Sequence, residues 1–255
     1  MVKGQLEKNK PKISPPKKAP LFQKSAIVIL IILSISGFIL RNNGFHQRHM
    51  LTYDEELYVY LGLQLKENPL DYNPEPIRKH LDDLIPGRQH PNYMYKPLFK
   101  HPPLFPSMLT LNYFFKFEPF PYMSAIMIPM LLGLLCIVFV FWLGRLFYDY
   151  RVGLLAAFFL TVDPIHWICS EKIWMETTLA LFIFLALFFF VLGWEQSRYL
   201  LLSGLFAGFA LLTKYAGISV LVLIFLFALF YKEELLFKRN FWLIFVIALA
   251  VFSPW

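Results

Sequence analysis

Apolar residues in this chain fall into long, nearly unbroken runs. They occupy residues 26–40, 123–147, 152–168, 173–193, 199–213, 215–231 and 241–255, seven in all. Unbroken runs approaching twenty residues suit helices in a bilayer, whereas the strands of a membrane barrel alternate apolar and polar with period two. The pattern predicts an all-α integral membrane protein, a multi-span helical bundle of about seven spans. Several runs are shorter than the roughly 20 residues of a full crossing, so their ends are expected to shift by a few residues. Residues 1–24 are rich in Lys and Pro, with no apolar period, and read as a disordered basic cytoplasmic tail. The first transmembrane helix is placed at 25–40; no small-residue cleavage site follows it, which argues against a removed signal peptide. Residues 41–122 are the one large polar interruption, predicted as an extracytoplasmic loop carrying short surface helices. Near its end, residues 104–117 are apolar but short and start among prolines, which favours an interfacial helix over a span. Residues 123–255 form the remaining transmembrane bundle. The last apolar run reaches the C-terminal residue, so the bundle is expected to be truncated there.

Composition strengthens this reading. The chain of 255 residues is 58% hydrophobic, 18% aromatic and only 16% charged, more apolar surface than a soluble domain of this size can bury. The formal charge of +7 does not indicate a nucleic-acid partner, because much of it lies in the N-terminal tail beside the first span. Arg145 with Arg151, then Arg198, then Lys232, Lys238 and Arg239 fall on alternate connectors. The positive-inside rule puts them, with the tail, on the cytoplasmic side of the cell membrane. Asp54, His101, Lys172, Glu176 and Lys214 then come out at the extracytoplasmic face. Cys136 and Cys169 sit within or beside apolar runs and are expected to be unpaired thiols.

The candidate chemistry is confined to that outer face. Thr52-Tyr-Asp-Glu55 is a capping-box pattern, so Asp54 and Glu55 can simply start a helix that lays Leu57, Leu61 and Leu65 on the bilayer. They can equally serve as a general base and its partner, since burial tunes the proton affinity of a carboxylate at the end of a span. Lys100 and His101 precede Pro102-Pro103, whose fixed backbone would aim two basic side chains in one direction. Lys172 and Glu176 are four residues apart and would pair across one helical turn. A carboxylate beside an uncharged membrane run needs either a partner or a function. Lys214 is the one charge between two apolar runs, suited to snorkelling or to a lipid phosphate. His46, His49, His80 and His90 are scattered along the polar loop and read as solvated. No phosphate-binding glycine loop, His-x-x-x-His metal pair or Gly-x-Ser-x-Gly elbow is present.

The order of these features resembles the N-terminal part of the GT-C glycosyltransferases that use polyprenyl-phosphate sugars. Within that class it is most similar to the protein O-mannosyltransferase and aminoarabinose-transferase superfamily. The resemblance rests on Asp54-Glu55 opening the loop, Lys100-His101-Pro-Pro-Leu closing it, Met175-Glu176, and Leu212-Thr-Lys-Tyr215. It implies transfer of a sugar from a polyprenyl monophosphate to an acceptor hydroxyl, with inversion. Asp54 is then the base and Glu55 its partner. Lys100, His101 and Lys214 face the donor phosphate, and Glu176 is the second acidic position. Lys172 stands where an arginine is expected. No metal and no cofactor beyond the lipid-linked donor is implied. The partners are that donor, a protein, lipid or glycan acceptor, and the bilayer. Two other readings remain open at this point, a truncated subunit that binds polyprenyl phosphate without turnover and a transporter. Charges gathered at one face argue against the transporter, which would need them in mid-span.

Overall fold

The computed structural model describes residues 24–46, 51–96, 100–114 and 124–255. Nearly all of the tail expected over residues 1–24, His49, and the end of the 104–117 segment lie outside them. The described residues contain eleven α-helices and no strand. They are α1 (Lys24–His46), α2 (Tyr53–Glu67), α3 (Glu75–Leu84), α4 (Leu104–Phe114), α5 (Met127–Phe147), α6 (Tyr150–Val162), α7 (Pro164–Ser170), α8 (Glu176–Leu192), α9 (Arg198–Thr213), α10 (Ile218–Tyr231) and α11 (Arg239–Phe252).

Each of the seven apolar runs is helical, but their lengths differ. Two helices, Lys24–Asn43 and Met127–Phe147, are long and apolar enough to cross a bilayer, and the bent pair of α6 and α7 makes up to three. The helices α8 to α11 are shorter, between 14 and 17 residues. They pack around a shared core that includes Phe190, Leu200, Ala207, Ile224, Phe241 and Ile244. Small residues allow α9 and α11 to meet closely: a Cβ added at Gly204 would lie 2.7 Å from the Ile244 carbonyl oxygen. Large apolar side chains such as Ile32, Ile35, Leu155, Phe159, Leu223 and Val246 point outward, as a lipid-facing surface requires.

The basic connectors share one end of the bundle. The Phe147 ring lies 6.1 Å from that of Trp194, and the Lys232 ammonium lies 5.4 Å from the same indole. At the opposite end Trp255 donates to the Tyr215 hydroxyl at 2.9 Å and packs edge-on against Tyr72 at 5.3 Å. This second end carries the candidate chemistry.

Three expectations change in the structure. The first helix does not stop at residue 40 but runs to His46. Arg41 can remain helical and fully buried because it donates to the Gly37 carbonyl at 3.0 Å and meets His166 Nδ1 at 2.8 Å. The expected single helix over 152–168 is broken, with α6 and α7 meeting at 63°. Pro164 has no N–H to continue the ladder, and the Asp163 carboxylate caps the new helix by accepting from the His166 amide at 2.6 Å. Finally, α2 does not lie on the bilayer. Leu57, Leu61 and Leu65 are buried with Met94, Phe105 and Ile173 in a core of their own, closed by α4. That core fixes the start of α2 against the segment before α8. Cys136 and Cys169 are both unpaired.

Candidate active site

The site begins with two neighbouring carboxylates that the helix treats in opposite ways. Glu55 is fully buried, while Asp54 is exposed. One Glu55 oxygen accepts from the Thr52 amide and the Thr52 hydroxyl, each at 2.8 Å; the other accepts from the Ile173 amide at 2.9 Å. The capping geometry read from Thr52 and Glu55 is therefore present. It also reaches across 118 residues to hold the approach to α8. Both Glu55 oxygens are thus held by donors that the fold needs. Asp54 has one hydrogen bond among the described residues, from the Tyr93 hydroxyl at 3.3 Å. Tyr93 also carries the Lys100 ammonium over its ring at 4.0 Å. Burial, then the Asp54 and Tyr53 fields, then the bond to Asp54 raise the Tyr93 hydroxyl above its ordinary value, so it stays a donor.

Glu176 and Lys214 meet at 2.9 Å. Glu176 is the first residue of α8 and Lys214 caps the end of α9, so each charge suits the helix dipole it faces. The expected Lys172–Glu176 pair does not form. α8 starts only at Glu176, so Lys172 lies in the preceding turn, with its ammonium 4.2 Å from the Trp174 ring. The Lys214–Glu176 pair is partly open, with side chains 33% and 40% exposed.

His101 connects the two halves. Its imidazole is depressed to about 4, chiefly by burial, then by the Lys100 and Lys214 cations, against the opposing fields of Glu176 and Asp54. The charges acting on it come from α2, the loop before α4, α8 and the end of α9. At neutral pH His101 is uncharged. In that form it can hydrogen-bond to a phosphate without adding positive charge. The unfolded chain protonates this group below about 6.5 and the folded protein only below about 4. Stability due to His101 is thus complete above pH 6.5 and falls as pH drops towards 4. His101→Gln is expected to flatten the loss of thermal stability across that interval, measured by unfolding in detergent from pH 7 to pH 4.

Tyr93 and Tyr58 were missed by sequence reasoning. The Tyr58 hydroxyl is raised by burial and then by the fields of Asp54, Glu176 and Tyr93. No pattern marks either tyrosine: Tyr93 lies in a short 3-10 turn, Asn92–Tyr95, and Tyr58 has the spacing of an ordinary core residue.

The arrangement combines an exposed carboxylate, a cation able to meet a phosphate, and an imidazole within the electrostatic reach of both. The model of the dolichyl-phosphate-mannose-protein mannosyltransferase family matches residues 100–255, more than half of the chain. The chain belongs to this mannosyltransferase family. The solved structure of ArnT from Cupriavidus metallidurans in the apo state has the same fold, with a TM-score of 0.68 at 17% identity. The match covers 91% of this chain and 42% of that one, so the chain spans less than half the length of that ArnT. No curated protein matches the chain. The family resemblance read from Asp54, His101, Glu176 and Lys214 is thus met by an independent match. Of these residues, Asp54 lies before the matched segment and the other three lie within it.

Proposed function

We propose that this mannosyltransferase-family chain carries the donor-phosphate and base groups of a transferase. That enzyme moves a sugar from a polyprenyl monophosphate to an acceptor hydroxyl at the extracytoplasmic membrane face. The observation that supports this best is the meeting of Glu176 with Lys214 beside His101, within the electrostatic reach of Asp54. In the proposed reaction the acceptor oxygen attacks the anomeric carbon as Asp54 takes its proton. The bond from that carbon to the phosphate oxygen breaks, its electrons leave with the polyprenyl phosphate, and the configuration inverts. Lys214 stabilises the departing charge through the N–H donors that Glu176 does not occupy. Glu176 holds the ammonium in place, and His101 donates to the phosphate without adding charge. Lys100 acts through Tyr93, over whose ring it rests. Lys172, turned to Trp174, is left outside the set. The alternating basic connectors support a cytoplasmic N-terminus and about seven crossings, with α8 to α11 as short spans.

Farnesyl phosphate, a short water-compatible analogue of the donor's lipid phosphate, tests this reading by direct binding to the purified protein. Lys214→Gln is expected to weaken binding by about 10–100-fold, the scale of one or two lost charge-assisted bonds. Lys172→Gln is expected to leave it unchanged. Equal affinity in the Lys214 variant and the parent would overturn the assignment.

A further inference from the structure

Beside the candidate site, on the same polar segment, lies a second feature with no role in the donor half. A half-open cavity of about 320 Å³ is lined by Glu75, Arg78, Met94, Tyr95 and Lys96. One wall is the first turn of α3 and the other is the 3-10 turn Asn92–Tyr95. That second wall is shared with the site. Tyr93 turns its hydroxyl to Asp54, while the next two residues line the cavity.

The lining is charged in an organised way. On α3, Glu75 is tied to Lys79 at 2.9 Å and Arg78 to Asp82 at 3.1 Å. Arg78 also lies 5.1 Å over the Tyr95 ring, so its plane is held between a carboxylate and an aromatic face. Its Nε is buried and makes no hydrogen bond among the described residues, although buried donors in folded proteins are nearly always satisfied. Lys96 forms no ion pair among the described residues. The one acid in the lining, Glu75, is thus already paired, and the cations keep unused donors.

A chain of hydrogen bonds makes the arrangement rigid. Asp82 accepts from Arg78 on one oxygen and meets His90 Nε2 at 2.8 Å on the other; His90 Nδ1 lies 3.0 Å from the Tyr53 hydroxyl. His90 is therefore buried in this chain, not solvated as its sequence position suggested. Tyr53 immediately precedes Asp54, so the wall bearing Arg78 is tied to the residue next to the proposed base.

We propose that this cavity binds the anionic group of the acceptor, a hydroxyl compound carrying a phosphate, and so delivers its hydroxyl to Asp54. Arg78 and Lys96 hold the phosphate, and Tyr95 covers the adjoining carbon skeleton. The anion binding stands on the cavity itself; naming the ligand as the acceptor rests on the proposed role of Asp54.

The test uses sn-glycerol 3-phosphate as the probe and glycerol as its neutral control, with the purified full chain in detergent. Glycerol 3-phosphate should bind and glycerol should not. Lys96→Gln, a change that breaks no described contact, should weaken binding by about 5–10-fold, the scale of one phosphate contact in partly open surroundings. Arg78→Gln should weaken it further, and farnesyl phosphate affinity should be unchanged in both variants. Vesicles containing phosphatidic acid, compared with free glycerol phosphate, separate a lipid headgroup from a soluble phosphate as the source of the anion. Glycerol phosphate affinity insensitive to Lys96→Gln, or equal binding of glycerol, would overturn the cavity assignment. Loss of farnesyl phosphate binding in Lys214→Gln alongside that result would leave the donor site standing. If the cavity variants behave as expected but Asp54→Asn transfers sugar normally, the phosphate site stands and its role as the acceptor site falls.

Discussion

Asp54→Asn is expected to cut sugar transfer by about 10²–10⁴-fold while farnesyl phosphate binding stays within about twofold, the range associated with losing one general base. The structure explains why the variant should otherwise resemble the parent. The substituted amide would keep an oxygen for the Tyr93 hydroxyl, the one hydrogen bond that Asp54 makes among the described residues. The side chain is exposed, so no packing is lost. What disappears is the second carboxylate oxygen, free to accept a proton from an incoming hydroxyl. The assay uses a polyprenyl-phosphate sugar and initial rates. Transfer at the parental rate would remove Asp54 from the mechanism.

The neighbouring carboxylate should behave in the opposite way. Glu55→Ala is expected to cost about 3–4 kcal/mol of stability, because it strips three hydrogen bonds from a charged acceptor and orphans the buried Ile173 amide. That corresponds to a fall in Tm on the order of 10 °C for a chain of this size. Glu55→Gln keeps one acceptor oxygen but turns an NH2 group towards donors, so its loss should be intermediate. Thermal unfolding in detergent measures both. A Glu55→Gln protein with unchanged Tm and no activity would return Glu55 to the catalytic groups. On the expected outcome the two adjacent acids differ cleanly, Asp54 failing in turnover and Glu55 in folding.

The sequence alone placed Asp54 and Glu55 together at a helix start, and the capping pattern was sound. It did not separate them. Successive residues on a helix point about 100° apart, so one meets the interior and the other solvent, and which does so depends on what lies beside the helix. Here the neighbour is the Ile173 segment, 118 residues away. The same applies to Glu176. Spacing suggested Lys172, four residues earlier, but the chain is not helical between them, and the partner is Lys214 from another helix. Asp163-Pro164 is a helix-start signal in the residues themselves, and it outweighs the continuous apolar run around it.

Hydrophobic patterning determined by itself that the chain is helical and built for a membrane, because a backbone in hydrocarbon must satisfy its own hydrogen bonds within each segment. Charge on the connectors determined which ends belong together, since Lys and Arg are costly to move through a bilayer. Only the tertiary structure decided which acid is buried, which lysine meets Glu176 and that burial lowers the proton affinity of His101. Those properties arise from burial and from partners remote in the chain, and neither is encoded by local spacing.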